Sequence, residues 1–256
     1  MNKPGPKPAV SFVVPALNEE GNIESTVQTI LEAGGQSCQD FEIVLVNDGS
    51  TDRTGAIIDG LAARHKAVRV VHNERNLGYG GAFKRGAAAA QKDFVVRICG
   101  DNVTPVDTLE KVLAQVGKAD LVLPYVANPE LRSWGRRIGS RAFTTLINTL
   151  FGQRVHYYNH CVVFRREDLR AITIVTNGFA YQAEAVIKLL KAGCSYVEVG
   201  IDDFPRVHGQ STALRPKNLL NCLRAVYKLV WEVRRPGAIP TFSRKAPASA
   251  AIKQEL

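Results

Sequence analysis

Short apolar runs alternate with amphipathic segments along the first half of the chain. The apolar runs predict buried strands at residues 10–15, 41–46, 68–72 and 94–99. The intervening segments have helical spacing or follow turn residues, and they predict helices at residues 18–33, 54–64 and 82–91, the first ending at Gly34-Gly35. Apolar strands that alternate with helices are typical of a parallel sheet. We therefore expect an α/β, Rossmann-like fold with a mostly parallel central sheet and helices on both faces.

The second half of the chain is less regular. It predicts strands at residues 121–123, 161–165 and 196–201, and helices at residues 134–150, 180–191 and 218–235. A chain of 256 residues that is 45% apolar can bury one core of domain size. We expect four segments: a flexible leader at 1–9, a single domain at 10–215, a basic amphipathic helix at 216–235 and a disordered tail at 236–256.

Positive charge is concentrated at the C-terminal end. The net charge is +9, and from Arg206 onward ten Lys and Arg residues stand against Glu232 and Glu255, so 10 − 2 = +8 lies there. This asymmetry predicts a phosphate-rich partner, either an anionic membrane surface or a phosphorylated substrate. No recognition motif accompanies the charge, so nucleic acid is not the expected partner.

The predicted helix at 218–235 has an apolar face beside basic residues. Its Tyr227 and Trp231 fit a helix that lies in a membrane interface. Packing on the domain's own core, or a contact in a dimer, explains the apolar face equally well. A second basic strip at helical spacing accompanies it, formed by Arg132, Arg136, Arg137 and Arg141.

Cysteine usage and hydropathy indicate the compartment. The five cysteines are an odd number with no C-x-x-C pair, which suits buried thiols in a reducing cytosol. The N-terminal residues lack the apolar region of a secretory signal, and no window approaches the roughly 18 apolar residues of a spanning helix. We expect a cytoplasmic protein, soluble or peripheral on the cytoplasmic face of the membrane.

Three polar clusters follow predicted strands. They are residues 18–20 (NEE), 47–48 (ND) and 101–102 (DN). In open parallel sheets, ligands bind beyond the carboxyl ends of the strands. We therefore expect these clusters to converge on one ligand site.

The polar clusters lie within longer motifs that resemble a known family. In order, the motifs are PALNEEGNI, VNDGSTDRT, NLGYGGAFKRGAAAA, GDN and PRVHGQST, within residues 15–212. Their order and spacing resemble family 2 glycosyltransferases with the GT-A fold, and among these the polyprenyl-phosphate sugar synthases such as dolichyl-phosphate mannose synthase. The resemblance covers about residues 10 to 235. Each motif is weak alone, whereas five in order make a specific signal.

The resemblance implies a nucleotide-sugar pocket. It assigns base and ribose contacts to Pro15, Leu17, Glu19, Val46 and Asp48. Taken alone, Asp48 followed by glycine is also typical of an ordinary turn. The same resemblance places the glycine loop, with Gly80, close to the nucleotide, where missing side chains would admit it. A simple strand-to-helix turn is the alternative for that loop.

The resemblance also implies a divalent cation, Mg²⁺ or Mn²⁺. A diphosphate leaving group needs a hard cation to neutralise its charge. The family's Asp-x-Asp is Cys99-Gly100-Asp101 here, so Asp101 is the expected metal ligand, while Gly100 and Asn102 are expected beside the nucleotide. Cys99 is expected to be a buried thiol, because sulfur does not suit Mg²⁺.

The resemblance assigns further residues to the acceptor and the phosphates. Gln182 and Glu184 match the helix that lines the acceptor side, with Glu184 as general base or acceptor orienter; a solvated helix carboxylate is the alternative. Arg206 and Ser211 match the phosphate-binding segment, although the family's lysine is Thr212 here. His156 and His160 are expected to lie in an acceptor loop.

The expected activity is inverting transfer of a hexose from a UDP- or GDP-sugar to a polyprenyl phosphate. Two alternatives stay open. One is the same transfer to a soluble acceptor or a glycan hydroxyl. The other is a nucleotide-sugar-binding protein without activity, because Cys99 and Thr212 depart from the family pattern.

Overall fold

The computed structural model describes residues 7–202 and 216–242. Within these residues the strands form one sheet with the order β3-β2-β1-β4-β6-β5-β7. Neighbouring strands are parallel, except that β6 is antiparallel to both β4 and β5. The strands are β1 (Ala9–Ala16), β2 (Asp40–Asn47), β3 (Val68–His72), β4 (Phe94–Arg97), β5 (Leu121–Val126), β6 (Val163–Arg165) and β7 (Tyr196–Ile201).

Helices cover both faces of this sheet. They are α1 (Ile23–Ser37), α2 (Thr54–Arg64), α3 (Tyr79–Ala89), α4 (Val106–Leu113), α5 (Trp134–Phe151), α6 (Arg166–Ala171), α7 (Tyr181–Lys191) and α8 (Pro216–Arg234). One hydrophobic core contains residues of α1, α2 and α4, and the other contains residues of α3, α5, α7 and α8. The predicted α/β fold with a mostly parallel sheet is therefore confirmed.

The bounds of two helices differ most from the sequence prediction: α1 is Ile23–Ser37 where residues 18–33 were predicted, and α3 is Tyr79–Ala89 where 82–91 were predicted. Helix α1 continues through both glycines at 34–35, because the missing side chain of Gly34 makes room for the ring of Phe41, 2.9 Å from where a Cβ would lie. Helix α3 starts at Tyr79 rather than at residue 82 and includes two glycines in its first turn. Helices α4 and α6 were not predicted, since each is shorter than the windows in which helical periodicity is readable.

Part of the expected C-terminal tail packs against the body of the protein. The backbone N–H of Phe242 donates to the carbonyl of Ala192 at 2.9 Å, and the Phe242 side chain packs on the core. Phe242 thus contacts the domain, while the division of the chain into four segments stays a prediction. The remaining residues of that tail, and residues 203–215, lie outside the described residues.

Helix α3 lies unusually close to the sheet at Gly86. A Cβ there would lie 2.4 Å from Cγ1 of Val13 and 2.9 Å from Cγ2 of Val46. Both valines are fully buried in the centre of the sheet, where they cannot move aside. Glycine at this position therefore sets the distance at which α3, and the loop that precedes it, lie over the sheet.

We expect Gly86→Ala to lower the free energy of unfolding by about 1–3 kcal/mol, because the added methyl group overpacks this contact. Urea unfolding followed by circular dichroism measures the change. Gly60→Ala is the matched control, since a Cβ at this exposed position of α2 meets nothing within 4 Å and is expected to be neutral or stabilising by up to about 1 kcal/mol. Equal stabilities of the two variants would contradict the packing argument.

Candidate active site

The three polar segments begin side by side at one edge of the sheet. Strand β1 lies between β2 and β4 and is parallel to both. The N–H of Asp48 donates to the carbonyl of Ala16 at 2.9 Å, and the N–H of Ile98 donates to that of Val13 at 2.9 Å. The segments after β1, β2 and β4 therefore leave the sheet at the same edge, as the sequence predicted.

Asp48 holds the turn that precedes α3. Its Oδ1 accepts from the Nδ2 of Asn73 at 2.8 Å and from the N–H of Leu77 at 2.9 Å. Its Oδ2 accepts from the N–H of Gly78 at 3.1 Å. Three of the roughly four acceptor positions of a carboxylate are thereby used. A contact between Asp48 and a nucleobase stays a prediction, and the structure gives this buried side chain a definite structural role.

The glycines of this loop make room for the segment at 173–178. The φ angle of Gly78 is +82°, which favours glycine, and a Cβ there would lie 2.8 Å from the carbonyl oxygen of Asn177. The N–H of Gly80 donates to the same oxygen at 2.8 Å, and a Cβ on Gly80 would lie 2.7 Å from that of Tyr181. These contacts explain the glycines by packing. Close approach of a nucleotide to Gly80 stays a prediction.

A buried arginine lies beneath the metal motif. The Nη1 of Arg97 donates to the Sγ of Cys99 at 2.8 Å and to the hydroxyl of Tyr79, while its Nη2 donates to the carbonyl of His160 at 2.5 Å. Burial by itself lowers the pKa of this guanidinium, but the Cys99 thiol and the Tyr79 hydroxyl raise it well above its ordinary value. Arg97 is therefore charged and donates to the Cys99 sulfur, and Cys99 is half-buried where the sequence predicted a buried thiol.

Asp101 follows this network at the end of β4. Its side chain is 2% exposed. The preceding Gly100 lies against β1, since a Cβ there would lie 3.3 Å from the carbonyl oxygen of Pro15 and 3.5 Å from Cγ of Glu19. Asn102 has a φ of +52° and accepts from the hydroxyl of Thr29 at 3.1 Å. Gly100, the residue before the carboxylate of the metal motif, thus lies beside the segment that follows β1.

The residues assigned to the base and ribose have different environments. Leu17 is 41% exposed at the end of β1, which leaves an apolar surface for a planar base, and Glu19 is half-buried and accepts from the Nδ2 of Asn22 at 2.8 Å. Pro15 and Val46 are register partners in the sheet. Val46 is fully buried and lies against Gly86, and its contact with a nucleotide stays a prediction.

Gln182 lies in the polar network beneath the site. The side chain is buried, and its Nε2 donates to the carbonyl of His160, the oxygen that also accepts from Arg97. Gln182 therefore links α7 to the metal motif through one shared carbonyl group. Its predicted contact with an acceptor remains a prediction.

Glu184 is held in a buried ion cluster. It is 3% exposed, so the alternative of a solvated helix carboxylate is wrong. Its two oxygens accept from the N–H of Val175 at 2.8 Å and of Thr176 at 2.9 Å, and Oε1 also pairs with the Nζ of Lys188 at 2.7 Å. Burial raises the pKa of this carboxyl, but these bonds outweigh it and lower the pKa below its ordinary value. A carboxyl with a lowered pKa and engaged oxygens is a weak general base.

The remaining predicted residues are divided between the surface, the interior and the undescribed part of the chain. The Nδ1 of His156 is 2.7 Å from Oε2 of Glu198, and its ring stacks on Tyr125. His160 is buried in the Arg97 network. Arg206 and Ser211 lie outside the described residues.

Sequence reasoning missed three residues of this region. Arg97 interrupts an otherwise apolar strand, FVVRIC, and a charge in a buried strand was the available signal. Lys188 is four residues after Glu184, the spacing of a helical ion pair. Tyr79 stood among the glycines and gave no signal of its own.

The donor set at Asp101 fits a hard divalent cation only in part. Asp101 supplies carboxylate oxygens, whereas the Cys99 sulfur is soft and already accepts a hydrogen bond from Arg97. Across residues 7–202 and 216–242, no group of three or more His, Cys, Asp or Glu side chains is placed to hold a metal ion. These residues fit a cation that a diphosphate ligand brings and that the protein holds through one carboxylate.

Comparison with known protein families and sequences identifies relatives for most of the chain. The sequence model of the family described as Glycosyl transferase family 2 matches residues 11–173. An uncharacterised glycosyltransferase of Mycobacterium tuberculosis is 32% identical over 79% of this chain and 88% of its own length. The glycosyltransferase AglD of Haloferax volcanii is 28% identical over 88% of this chain and 37% of its own. The undecaprenyl-phosphate 4-deoxy-4-formamido-L-arabinose transferase of Pseudomonas aeruginosa is 28% identical over 85% of this chain and 65% of its own. The chain thus spans about a third of AglD and just under two thirds of the arabinose transferase.

Solved structures share the fold. Glucosyl-3-phosphoglycerate synthase from Mycobacterium tuberculosis, in complex with Mn²⁺, uridine diphosphate and phosphoglyceric acid, superposes with a TM-score of 0.64. It is 22% identical, and the match covers 87% of this chain and 78% of that protein. The same enzyme has a solved complex with Mg²⁺ and uridine diphosphate. At this identity the likeness establishes the GT-A fold.

Proposed function

The chain belongs to glycosyl transferase family 2, and from that premise we propose that it transfers a sugar from a UDP- or GDP-sugar to a polyprenyl phosphate. Family membership and the glycosyltransferase relatives make it a glycosyltransferase. The donor, the acceptor and the stereochemical course belong to the proposal. One observation supports it: the segments after β1, β2 and β4 leave one edge of the sheet together, with Gly100 next to Glu19 and with Asp48 holding the loop before α3.

The donor end of this proposal rests on that edge. The exposed Leu17 offers a surface for the base, and Glu19 lies beside Gly100. The solved complexes of glucosyl-3-phosphoglycerate synthase contain uridine diphosphate with Mn²⁺ or Mg²⁺. We propose Asp101 as the protein ligand of such a cation, which would neutralise charge on the departing diphosphate.

The proposed phosphate acceptor is supported by the low basicity of Glu184. A hydroxyl acceptor needs a base that removes its proton, and Glu184 is a weak base because three hydrogen-bond donors hold its carboxylate. A phosphate acceptor is already anionic at neutral pH and needs no such base. One of the relatives described above supports the lipid: the name of the Pseudomonas aeruginosa enzyme includes undecaprenyl phosphate, and that enzyme shares 28% identity with this chain.

The proposed reaction is a single displacement. A phosphate oxygen of the acceptor forms the bond to the anomeric carbon as that carbon's bond to the diphosphate breaks. The nucleoside diphosphate leaves, and the configuration at the anomeric carbon inverts. In this scheme the chain positions the acceptor phosphate and the donor diphosphate, and Asp101 would hold a cation that neutralises charge on the leaving diphosphate.

We place this reaction at the cytoplasmic face of the membrane, with the enzyme bound peripherally. Among the described residues, no helix combines the length and apolar character needed to cross a bilayer. Helix α8 exposes Leu220, Leu223, Tyr227 and Trp231 to solvent, although Val226 and Leu229 of the same helix are buried in the core. Exposed aromatic and aliphatic residues beside cations suit an interfacial helix.

Partitioning of labelled product tests the acceptor. We expect purified protein, given radiolabelled UDP- or GDP-hexose, Mn²⁺ and undecaprenyl phosphate in detergent, to place label in the butanol phase. Reactions with 3-phosphoglycerate in place of the lipid are the control, because phosphoglyceric acid is bound in the structurally similar synthase. If labelled product forms only with 3-phosphoglycerate and stays in the aqueous phase, the acceptor is a soluble molecule and the proposed lipid acceptor is wrong.

A further inference from the structure

A buried cation at the end of β4 has no acidic partner. Arg97 is 5% exposed, and among residues 7–202 and 216–242 no carboxylate forms an ion pair with it. Its hydrogen-bond acceptors are the Tyr79 hydroxyl, the Cys99 sulfur and the His160 carbonyl, while its buried Nε has no acceptor in the described part of the chain. A buried charge without a counter-charge is costly, and such groups cluster at sites that bind ligands.

Lys188 shows how the same protein compensates a buried cation elsewhere. It is 2% exposed, and its Nζ pairs with Glu184 at 2.7 Å and with Glu232 at 2.6 Å. Arg97 has an aromatic neighbour instead, since its guanidinium carbon is 5.3 Å from the centroid of the Tyr79 ring. The described residues therefore give Arg97 no counter-ion of the kind that they give Lys188.

Arg97 lies next to the residues proposed to hold the donor diphosphate. Its Nη1 is 2.8 Å from the sulfur of Cys99, the first residue of the metal motif, and Asp101 follows two residues later. Because an extended backbone spans at most about 3.6 Å per residue, the Cα of Asp101 lies within about 14 Å of that of Arg97. Tyr79, which Arg97 also contacts, is the first residue of α3 after the glycine loop. The guanidinium is therefore close enough to act electrostatically on a diphosphate held at Asp101.

We propose that Arg97 is a fixed counter-charge for the donor's diphosphate, and that it supplies part of the neutralisation that a divalent cation would otherwise supply alone. The inference rests on the proposed function, since it concerns the donor of that reaction. Arg97 acts across Cys99 and Tyr79 and does not touch the ligand, so it is a positioning residue. With an effective dielectric constant of about 20, a unit charge about 10 Å from a diphosphate changes its affinity by about tenfold or more.

Binding of nucleoside diphosphates without metal tests the proposal without turnover. In calorimetry with EDTA, we expect the parent to bind uridine or guanosine diphosphate, and Arg97→Met to weaken that binding about tenfold or more. Binding of the corresponding nucleoside, followed by saturation-transfer NMR, is expected to change little, because a nucleoside carries no phosphate charge. A purely structural role of Arg97 would weaken the nucleoside and the diphosphate alike, and that result would overturn the proposal.

A matched pair of variants at Cys99 tests the same charge with Arg97 left in place. Cys99→Asp and Cys99→Asn have side chains of the same shape and differ in charge. The aspartate would pair with the guanidinium and cancel its charge, so we expect Cys99→Asp to bind the diphosphate in EDTA about tenfold more weakly than Cys99→Asn. Saturating Mn²⁺ should reduce this difference, because the added carboxylate can also bind the cation. Equal metal-free affinities of the two variants would contradict the proposal.

The parent's own behaviour separates this inference from the function on which it rests. A parent that binds the diphosphates only with Mn²⁺ would overturn the inference and leave the proposed function standing. A parent whose binding in EDTA matches Cys99→Asp rather than Cys99→Asn would also overturn it, since the Cys99 sulfur would then already neutralise Arg97. A protein that binds neither diphosphate, with or without Mn²⁺, would remove the proposed function and this inference together.

Discussion

Asp101→Asn is expected to lower the rate of sugar transfer by about a hundredfold or more, because a bound cation supplies several kcal/mol of charge stabilisation in the transition state. The substitution keeps the shape of a side chain that is 2% exposed and removes its charge. Initial rates at saturating donor and acceptor, measured over a range of Mn²⁺ concentrations, give the effect. Calorimetry with uridine and guanosine diphosphates is expected to show that the variant loses the Mn²⁺-dependent part of binding.

Asp107→Asn is the matched control for this prediction. Asp107 is an exposed carboxylate in the first turn of α4, six residues along the same segment. It is expected to keep near-parental rates and the parental dependence on Mn²⁺. If Asp101→Asn kept most of the parental rate with a folded circular dichroism spectrum, the assignment of Asp101 as the metal ligand would be wrong.

Lys188→Met is expected to lower the free energy of unfolding by about 3–5 kcal/mol, the cost of breaking a buried pair by removing one partner. Lys188 is 2% exposed and bonds to Glu184, Glu232 and the carbonyl of Thr173 at 2.6–2.7 Å. Without it, Glu184 remains buried with two backbone donors and loses the cation that pairs with it. Thermal and urea unfolding measure the loss.

Two further variants separate the charge from the packing. Glu232→Gln removes the partner whose side chain is 30% exposed and should cost much less. Glu184→Gln/Lys188→Met replaces both buried charges and should recover part of the stability. A double variant no more stable than Lys188→Met would show that the loss came from packing.

The same cluster gives a pH dependence of known sign. The pKa of Glu184 is lowered in the folded protein, from an ordinary value of 4.5. Its contribution is therefore complete above that ordinary value and is lost as the pH falls through the lowered pKa. The stability difference between the parent and Glu184→Gln/Lys188→Met is accordingly expected to shrink in acid.

The sequence predicted where the strands end and that polar segments follow them. It did not predict the network of side chains that lies under those segments. Apolar runs followed by polar clusters located the ends of β1, β2 and β4, because parallel strands present their carboxyl ends together. The hydrophobic periodicity of a sequence predicts which face of a helix or strand a residue lies on. It does not predict which other side chain that residue contacts. Nothing in the spacing of Tyr79, Arg97 and Gln182 indicates that His160 and Cys99 connect them, since these contacts join segments far apart in the chain.

Glycine shows the same difference between local and tertiary information. The sequence assigned Gly34 to a helix end, whereas the ring of Phe41 occupies the space beside it and α1 continues. Val46 lies in the predicted apolar strand, which ends one residue later at Asn47, and its side chain packs against α3 at Gly86. At both positions the environment of the residue is set by a contact with a segment distant in the chain, which the local sequence pattern does not reveal.

The segment at 173–177 is irregular backbone that other parts of the chain hold from both sides. Glu184 accepts from two of its amides, while Lys84 and Lys188 donate to the carbonyls of Ile174 and Thr173. This segment forms no helix or strand, and the charged side chains of Glu184, Lys84 and Lys188 hold its backbone in place. It therefore cannot serve as a hinge at neutral pH. Any opening that lets substrates enter or leave must therefore pivot at another part of the molecule.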